Sequence, residues 1–212
     1  MPMRPIRCLP LLLAAAMVAC GNDVPPIPDV PDAAVDEEVP DLLAQAQEQF
    51  WTNLQALCGQ AFRGEATEVQ AVDTDFSGEM IVHFRQCEET EMRIPLHVGE
   101  DRSRTWIVSR TPEGLRLKHD HRHEDGTEED LTQYGGDTED PGTANMQEFH
   151  VDGFTVDMAP ETATNVWTME IVPGEYFAYA LRREGTDRRV RFEFDLNDPV
   201  EAPPAPWGYE GT

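Results

Sequence analysis

The chain has 212 residues, 41 of them acidic and 16 basic, for a formal net charge of −25. So negative a surface repels nucleic acid and anionic headgroups, and excludes both as partners held by charge. A basic protein partner stays compatible with it. A single lysine, Lys118, is present; every other basic residue is arginine.

The first nineteen residues have the three parts of an export signal. Arg4 and Arg7 supply a positive n-region, Leu9 to Val18 an apolar h-region, and small residues then lead into a cysteine. The apolar run is about ten residues long, well short of the roughly 20 that span a bilayer as a helix. The stretch Met17-Val18-Ala19-Cys20-Gly21 resembles the bacterial lipoprotein signal, in which small residues precede an obligatory cysteine. Ala19, Cys20 and Val18 fit that pattern, while Met17 stands where leucine is usual. The resemblance implies cleavage before Cys20, acylation of Cys20 and attachment to the bacterial envelope. Gly21, in place of Asp, points to the outer membrane, with the protein facing the periplasm. Several acyl chains would hold it stably, since each buried methylene contributes about 0.8 kcal/mol. Loss of Arg4 and Arg7 takes the charge from −25 to −27.

From Cys20 to Pro40 the sequence is rich in proline and acid and cannot bury a core, which predicts an extended tether. Asp41 can cap a helix whose apolar positions Leu42, Leu43, Ala46, Phe50, Leu54 and Leu57 recur at helical spacing and end near Cys58-Gly59. Cys8 leaves with the signal and Cys20 is the lipid site. Cys58 and Cys87 remain, and an even pair in an oxidising compartment is most simply a disulfide.

After Gly64 the pattern is antiparallel β. Strands are expected near 65–72, 79–87, 90–98, 103–110, 114–124, 127–133, 146–157, 165–172, 175–183 and 188–196. Alternation is clearest where Val190, Phe192, Phe194 and Leu196 oppose Arg191, Glu193 and Asp195. Turn signals stand at Ser77-Gly78, Asp125-Gly126, Pro173-Gly174 and Glu184-Gly185. The segment 134–145, with Gly135-Gly136, reads as a loop. Residues 41–197 thus form one mainly β domain, an up-and-down, lipocalin-like barrel with one N-terminal helix, because closure removes edges. A two-sheet sandwich is the alternative. Residues 198–212 form a proline-rich tail.

One strand stands out chemically. In Leu115-Arg-Leu117-Lys-His119-Asp-His121-Arg-His123-Glu124, alternate residues share a face, so the three histidines continue the leucine face inward near a strand end. Same-face neighbours lie about 6.8 Å apart, so two imidazoles and a carboxylate such as Glu170 could bind zinc, copper or nickel. His119 and His123, about 13–14 Å apart in a straight strand, do not easily share one ion. The bland alternative is a polar, half-exposed strand end without ligand. By the same alternation His83, His97 and His150 face outward.

Other chemistry finds little footing. Asp73-Thr-Asp75-Phe-Ser77-Gly78 begins like a calcium loop, but Phe84 stands where its bidentate glutamate belongs, so an acidic turn is the better reading. The mature chain keeps only Ser77, Ser103 and Ser109, with no GxSxG and no glycine-rich phosphate loop. LRLKHDHRHEDGTEEDLTQYGG, NVWTMEI and PPAPWG together resemble a group of uncharacterised secreted proteins or lipoproteins of Gram-negative bacteria with no assigned activity. That resemblance implies an envelope location and nothing about chemistry. The combined expectation is a membrane-anchored lipoprotein with a non-enzymatic binding or structural role. A metal-binding protein or metal enzyme built on His119, His121 and His123 is the rival, and a protein-interaction module the third.

Overall fold

A computed structural model of the chain describes residues 40–211 apart from 73 and 75, with side chains from residue 45 onward. The signal, Cys20 and the tether lie outside the described residues. Helix α1 (Pro40–Gln55) is followed by β1 (Ala61–Gln70), β2 (Met80–His83), β3 (Gln86–Cys87), β4 (Glu91–Val98), β5 (Asp101–Thr111), β6 (Gly114–His121), β7 (Tyr134–Asp137) and β8 (Met146–Val151). A short helix α2 (Gly153–Met158) and one 3₁₀ turn (Pro160–Thr162) precede β9 (Asn165–Val172), β10 (Tyr176–Arg183) and β11 (Arg189–Val200).

Every strand pairs antiparallel with its sequence neighbour from β4 through β11, and β11 returns to β1. β1 pairs with β2, and β2 with β4, which closes the ring. β2 and β3 both run along β4 and act as one strand interrupted at Phe84 and Arg85, so the barrel has ten strands. The two-sheet sandwich does not occur. A ring removes the unpaired edges that a sandwich of these short strands would keep.

Alternation sets the two faces. Met92, Ile94, Leu96, Trp106, Val108, Leu115, Leu117, Phe177, Phe192 and Phe194 fill the inside. The outside carries charge ladders such as Glu148–Arg182 and Glu170–Arg191–Glu193. Apolar inside and charged outside is the reverse of a barrel that spans a bilayer. Among the described residues no helix is long and apolar enough to cross a membrane.

Helix α1 closes one end. Phe50, Trp51 and Leu54 recur at helical spacing and are fully buried in the barrel core. Gln47 donates to Thr138 and Asn53 to the Ala144 carbonyl; Glu48 pairs with Arg110, whose guanidinium lies over Trp51. The helix stops at Gln55, and the expected last turn through Cys58 is a looser turn ended by Gly59 in the left-handed region. Cys58 is disulfide-bonded to Cys87, with Cα atoms 6.1 Å apart, which ties the plug to the wall. The bridge closes a loop of 29 positions, a size that contributes roughly 3–4 kcal/mol in the chain-entropy model. The Cys58→Ser/Cys87→Ser variant is expected to lose that amount in urea unfolding. A loss under 1 kcal/mol would mean that the helix seats without it.

Several local expectations change. Segment 127–133 is not a strand but a rim loop, with a single bridge between Arg122 and Glu128. The expected strand over 146–157 ends at Val151, because the Asp152 carboxylate accepts from the Thr155 amide and starts α2. The supposed loop 134–145 opens with β7. There Gly135 and Gly136 let the backbone approach its neighbours so closely that a Cβ would lie 1.9 Å from the Leu117 carbonyl oxygen or 1.8 Å from that of His150. At the other end β11 runs three residues past Asn197, with Pro199 and Val200 opposite Phe62 and Ala61.

The tail lies on the outer wall of β4–β6. Trp207 donates its amide to the Arg102 carbonyl, and Arg102 donates to the Ala205 carbonyl. Tyr209 sits between the guanidiniums of Arg93 and Arg122. Its hydroxyl donates to Asp120 at 2.8 Å and accepts from Arg93 at 2.8 Å. His83 and His97 do face outward, yet only 8% and 4% of their surface is exposed. They sit beside Arg85 and Arg102, which also hold the tail.

Candidate ligand cavity

Opposite the α1 plug the barrel opens into a cavity of about 370 Å³, at the small end of the ~300–1,000 Å³ usual for ligand pockets. Its floor is aromatic. Trp106 of β5 stacks on Tyr179 of β10 with centroids 4.3 Å apart and planes 20° apart, and Tyr179 stacks in turn on Phe192. Three segments rim the mouth: the β1–β2 loop through Phe76, the loop 122–133 through Glu129 and Leu131, and the α2 region through Thr155 and Ala159. Thr155 fixes the last of these by exchanging hydrogen bonds with the Gly135 backbone, its hydroxyl accepting at 2.7 Å and donating at 3.0 Å.

His119 and His121 line this cavity, as the continuation of the leucine face requires. Both ring nitrogens of His119 are engaged, Nδ1 with the Tyr134 carbonyl at 3.1 Å and Nε2 with the Tyr179 hydroxyl at 2.8 Å. A carbonyl only accepts, so Nδ1 carries the proton and neutral Nε2 accepts from Tyr179. Burial, reinforced by the nearby His121, pushes His119 down to about 3. The His119 ring also stacks on Tyr134 at 4.5 Å and 6°. Tyr134 reaches His121 Nε2 through its hydroxyl at 3.1 Å, and His121 Nδ1 lies 3.8 Å from Glu129. Burial, then Arg104, lowers His121 to about 4. The same burial raises Tyr134 to about 12 and Tyr179 well above its usual value.

The three histidines do not converge. His123 lies beyond the end of β6 and is exposed, while His119 has no lone pair left for an ion. Glu170, the carboxylate expected to join them, is on the outer face with Arg191 and Tyr176. Among the described residues no group of three His, Cys, Asp or Glu side chains is placed to hold a metal. What the histidines build is an uncharged, hydrogen-bonded aromatic wall. At neutral pH its groups are held in their neutral forms, which suits a surface that packs against a ligand.

From the sequence Trp51, Trp106, Trp167 and Trp207 read as core or rim packing rather than a ligand cage, whereas Trp106 and Trp167 line the cavity. Tyr134, Tyr179 and the arginines at the mouth gave no signal of their own, although the logic applied to the histidines reaches two of those arginines. Arg183 continues the inward face Phe177, Tyr179, Leu181, and Arg104 that of Trp106 and Val108. Both line the cavity. No protein-family model, no curated protein and no solved structure matches the chain.

Proposed function

We propose that the protein is a non-enzymatic binding protein that holds a small molecule with an aromatic or apolar body in the barrel, and that lipid on Cys20 tethers it to the bacterial envelope facing the periplasm. The observation that carries the binding reading is the cavity itself: one end plugged by α1, the other open, the floor a Trp106–Tyr179 stack. Such a surface favours a flat apolar group, and an aromatic pair contributes about 0.5–1.5 kcal/mol beyond its area. The neutral tyrosine hydroxyls above it keep lone pairs that can accept a hydrogen bond without a charge to desolvate.

Titration with the uncharged fluorophore N-phenyl-1-naphthylamine tests this. One saturable site per chain is expected, with quenching of tryptophan emission from Trp106 and Trp167, both of which line the cavity. Trp106→Ala should weaken binding by about 1 kcal/mol, a several-fold loss. Absence of saturable binding, or affinity indifferent to Trp106, rejects the reading. The anchor is tested separately by membrane fractionation and radiolabelled palmitate. Wild type should carry label in the membrane fraction and Cys20→Ala should lose both; label that survives the exchange rules the anchor out.

A further inference from the structure

The mouth carries an unusual charge for this chain. Overall 41 acids outnumber 16 bases, yet among the described residues Arg104, Arg183 and Arg188 line the cavity against Glu129 and Glu161. Arg104 is already paired with Asp101 and lies over Phe76. Arg183 and Arg188 have no carboxylate within 4 Å among the described residues. Arg183 donates Nε to Asn165 at 2.8 Å, and Arg188 donates Nη1 to the Ala71 carbonyl at 3.1 Å. The two guanidiniums carry five N–H donors each, so among the described residues most of their donors have no protein acceptor. Arg188 Nε is buried without a hydrogen-bond partner among the described residues.

The two cations also repel each other. Desolvation first, then the charge of Arg188, holds Arg183 below the usual guanidinium range, and Glu161 offsets only part of this. Glu161 is itself exposed on the 3₁₀ turn. Arg188 and Arg104 both project their potential onto Tyr134 and Tyr179 inside the cavity. Such a pair, flanking the short turn between β10 and β11, costs stability unless an anion bridges it. Guanidinium forks match the oxygens of a carboxylate, sulfonate or phosphate.

We propose that Arg183 and Arg188 form an anion-recognition subsite at the mouth, so that the ligand is an amphipathic oxyanion with its head on these arginines and its apolar body on the Trp106–Tyr179 stack. This rests on the cavity reading and adds the charge of the ligand to it. The two can fail separately. The probes are N-phenyl-1-naphthylamine and 8-anilinonaphthalene-1-sulfonate, which share two aromatic groups and differ chiefly by the sulfonate. Both are titrated into the full chain carrying Cys20→Ala.

The sulfonate is expected to bind at least tenfold more tightly than the amine, to displace it, and to weaken as salt is raised. Arg183→Gln/Arg188→Gln should abolish that preference while leaving the amine's affinity unchanged, which also reports that the variant has folded. Arg188→Gln alone should lose part of it. If the amine binds and the sulfonate shows no preference, or keeps it in the double variant, the anion subsite is overturned and the cavity reading stands. If neither probe binds at a saturable site, both are overturned.

Discussion

Acidification from pH 7 to pH 5 is expected to cost the protein several kcal/mol of stability. An unfolded histidine titrates near 6.5. In the fold, burial holds His119 at about 3 and His97 and His121 at about 4, with neighbouring positive groups adding to each shift. His83 is lowered by the same cause. Because the folded values lie below the unfolded one, the unfolded chain takes up protons first as the pH falls. The stability these residues allow is therefore complete above about 6.5 and is lost progressively down to the folded values. Each mismatched histidine costs about 1.4 kcal/mol per pH unit. Three together cost roughly 4 kcal/mol per unit, against 5–15 kcal/mol for a whole domain.

Carboxylates work in a lower window. Burial pushes Asp101 and Asp152 up, but Ser103 together with Arg104, and Lys118 together with Thr155, hold them below their usual range, and Arg182 does the same for Glu148. Their contribution is present above about pH 4 and lost only beneath it. The interval from 6.5 to 4.5 thus belongs to the histidines. Urea midpoints at pH 7.5, 6 and 5 check this, and His97→Gln should shallow the slope by about a third, as one of three similar contributions. A midpoint constant across that range would show that these imidazoles are not buried in neutral form.

Asp120→Ala should cost about 3–5 kcal/mol, the usual penalty for removing one partner of a buried charge network. Asp120 lies on the outer face of β6 with only 1% of its surface exposed. Its two oxygens accept from Arg122 Nε at 2.9 Å, Gln133 Nε2 at 2.9 Å and the Tyr209 hydroxyl at 2.8 Å. Truncation leaves those donors facing a void and releases the tail at the same moment. Tyr209→Phe removes one of the three bonds to Asp120, and with it the bond from Arg93, and should cost about 1.5–3 kcal/mol, the range for a hydrogen bond to a charged group. Urea unfolding of both variants checks the pair. An Asp120→Ala protein within 1 kcal/mol of wild type would mean that the tail and rim loop are not tied through this carboxylate.

What could be read in advance was whatever depends on period. Alternation along 190–196 and 115–121 located the inward face, and helical spacing of Phe50 and Leu54 located the plug. Closure followed from the number of short strands and the need to remove edges. What stayed hidden depends on contacts across the chain. Tyr134-Gly-Gly-Asp137 has turn composition, yet it forms a strand because the neighbours on both sides close to distances only glycine tolerates. Asp152-Gly153 cuts an alternating run because a cap is available there. His83 and His97 point outward by parity but are covered on a wall where the tail folds back, and parity says nothing about coverage. The histidines of β6 were placed on the correct face, but their role depends on Tyr134 and Tyr179, brought to them by two other strands.

The barrel is sealed by its two outermost strands. Ala61 pairs with Val200 and Gln70 with Arg189, more than a hundred positions apart along the chain. An emerging polypeptide can build the meander from β4 to β10 by adding each strand to the last. It cannot close until Arg189–Val200 arrives. Until then β1 and β10 each present an open row of amides and carbonyls, a template for pairing with another chain, and pairings of such long range place folding among the slow topologies. A chain clipped before β11 is therefore not a weakened container but an unsealed sheet, and the last strand made decides whether there is an inside at all.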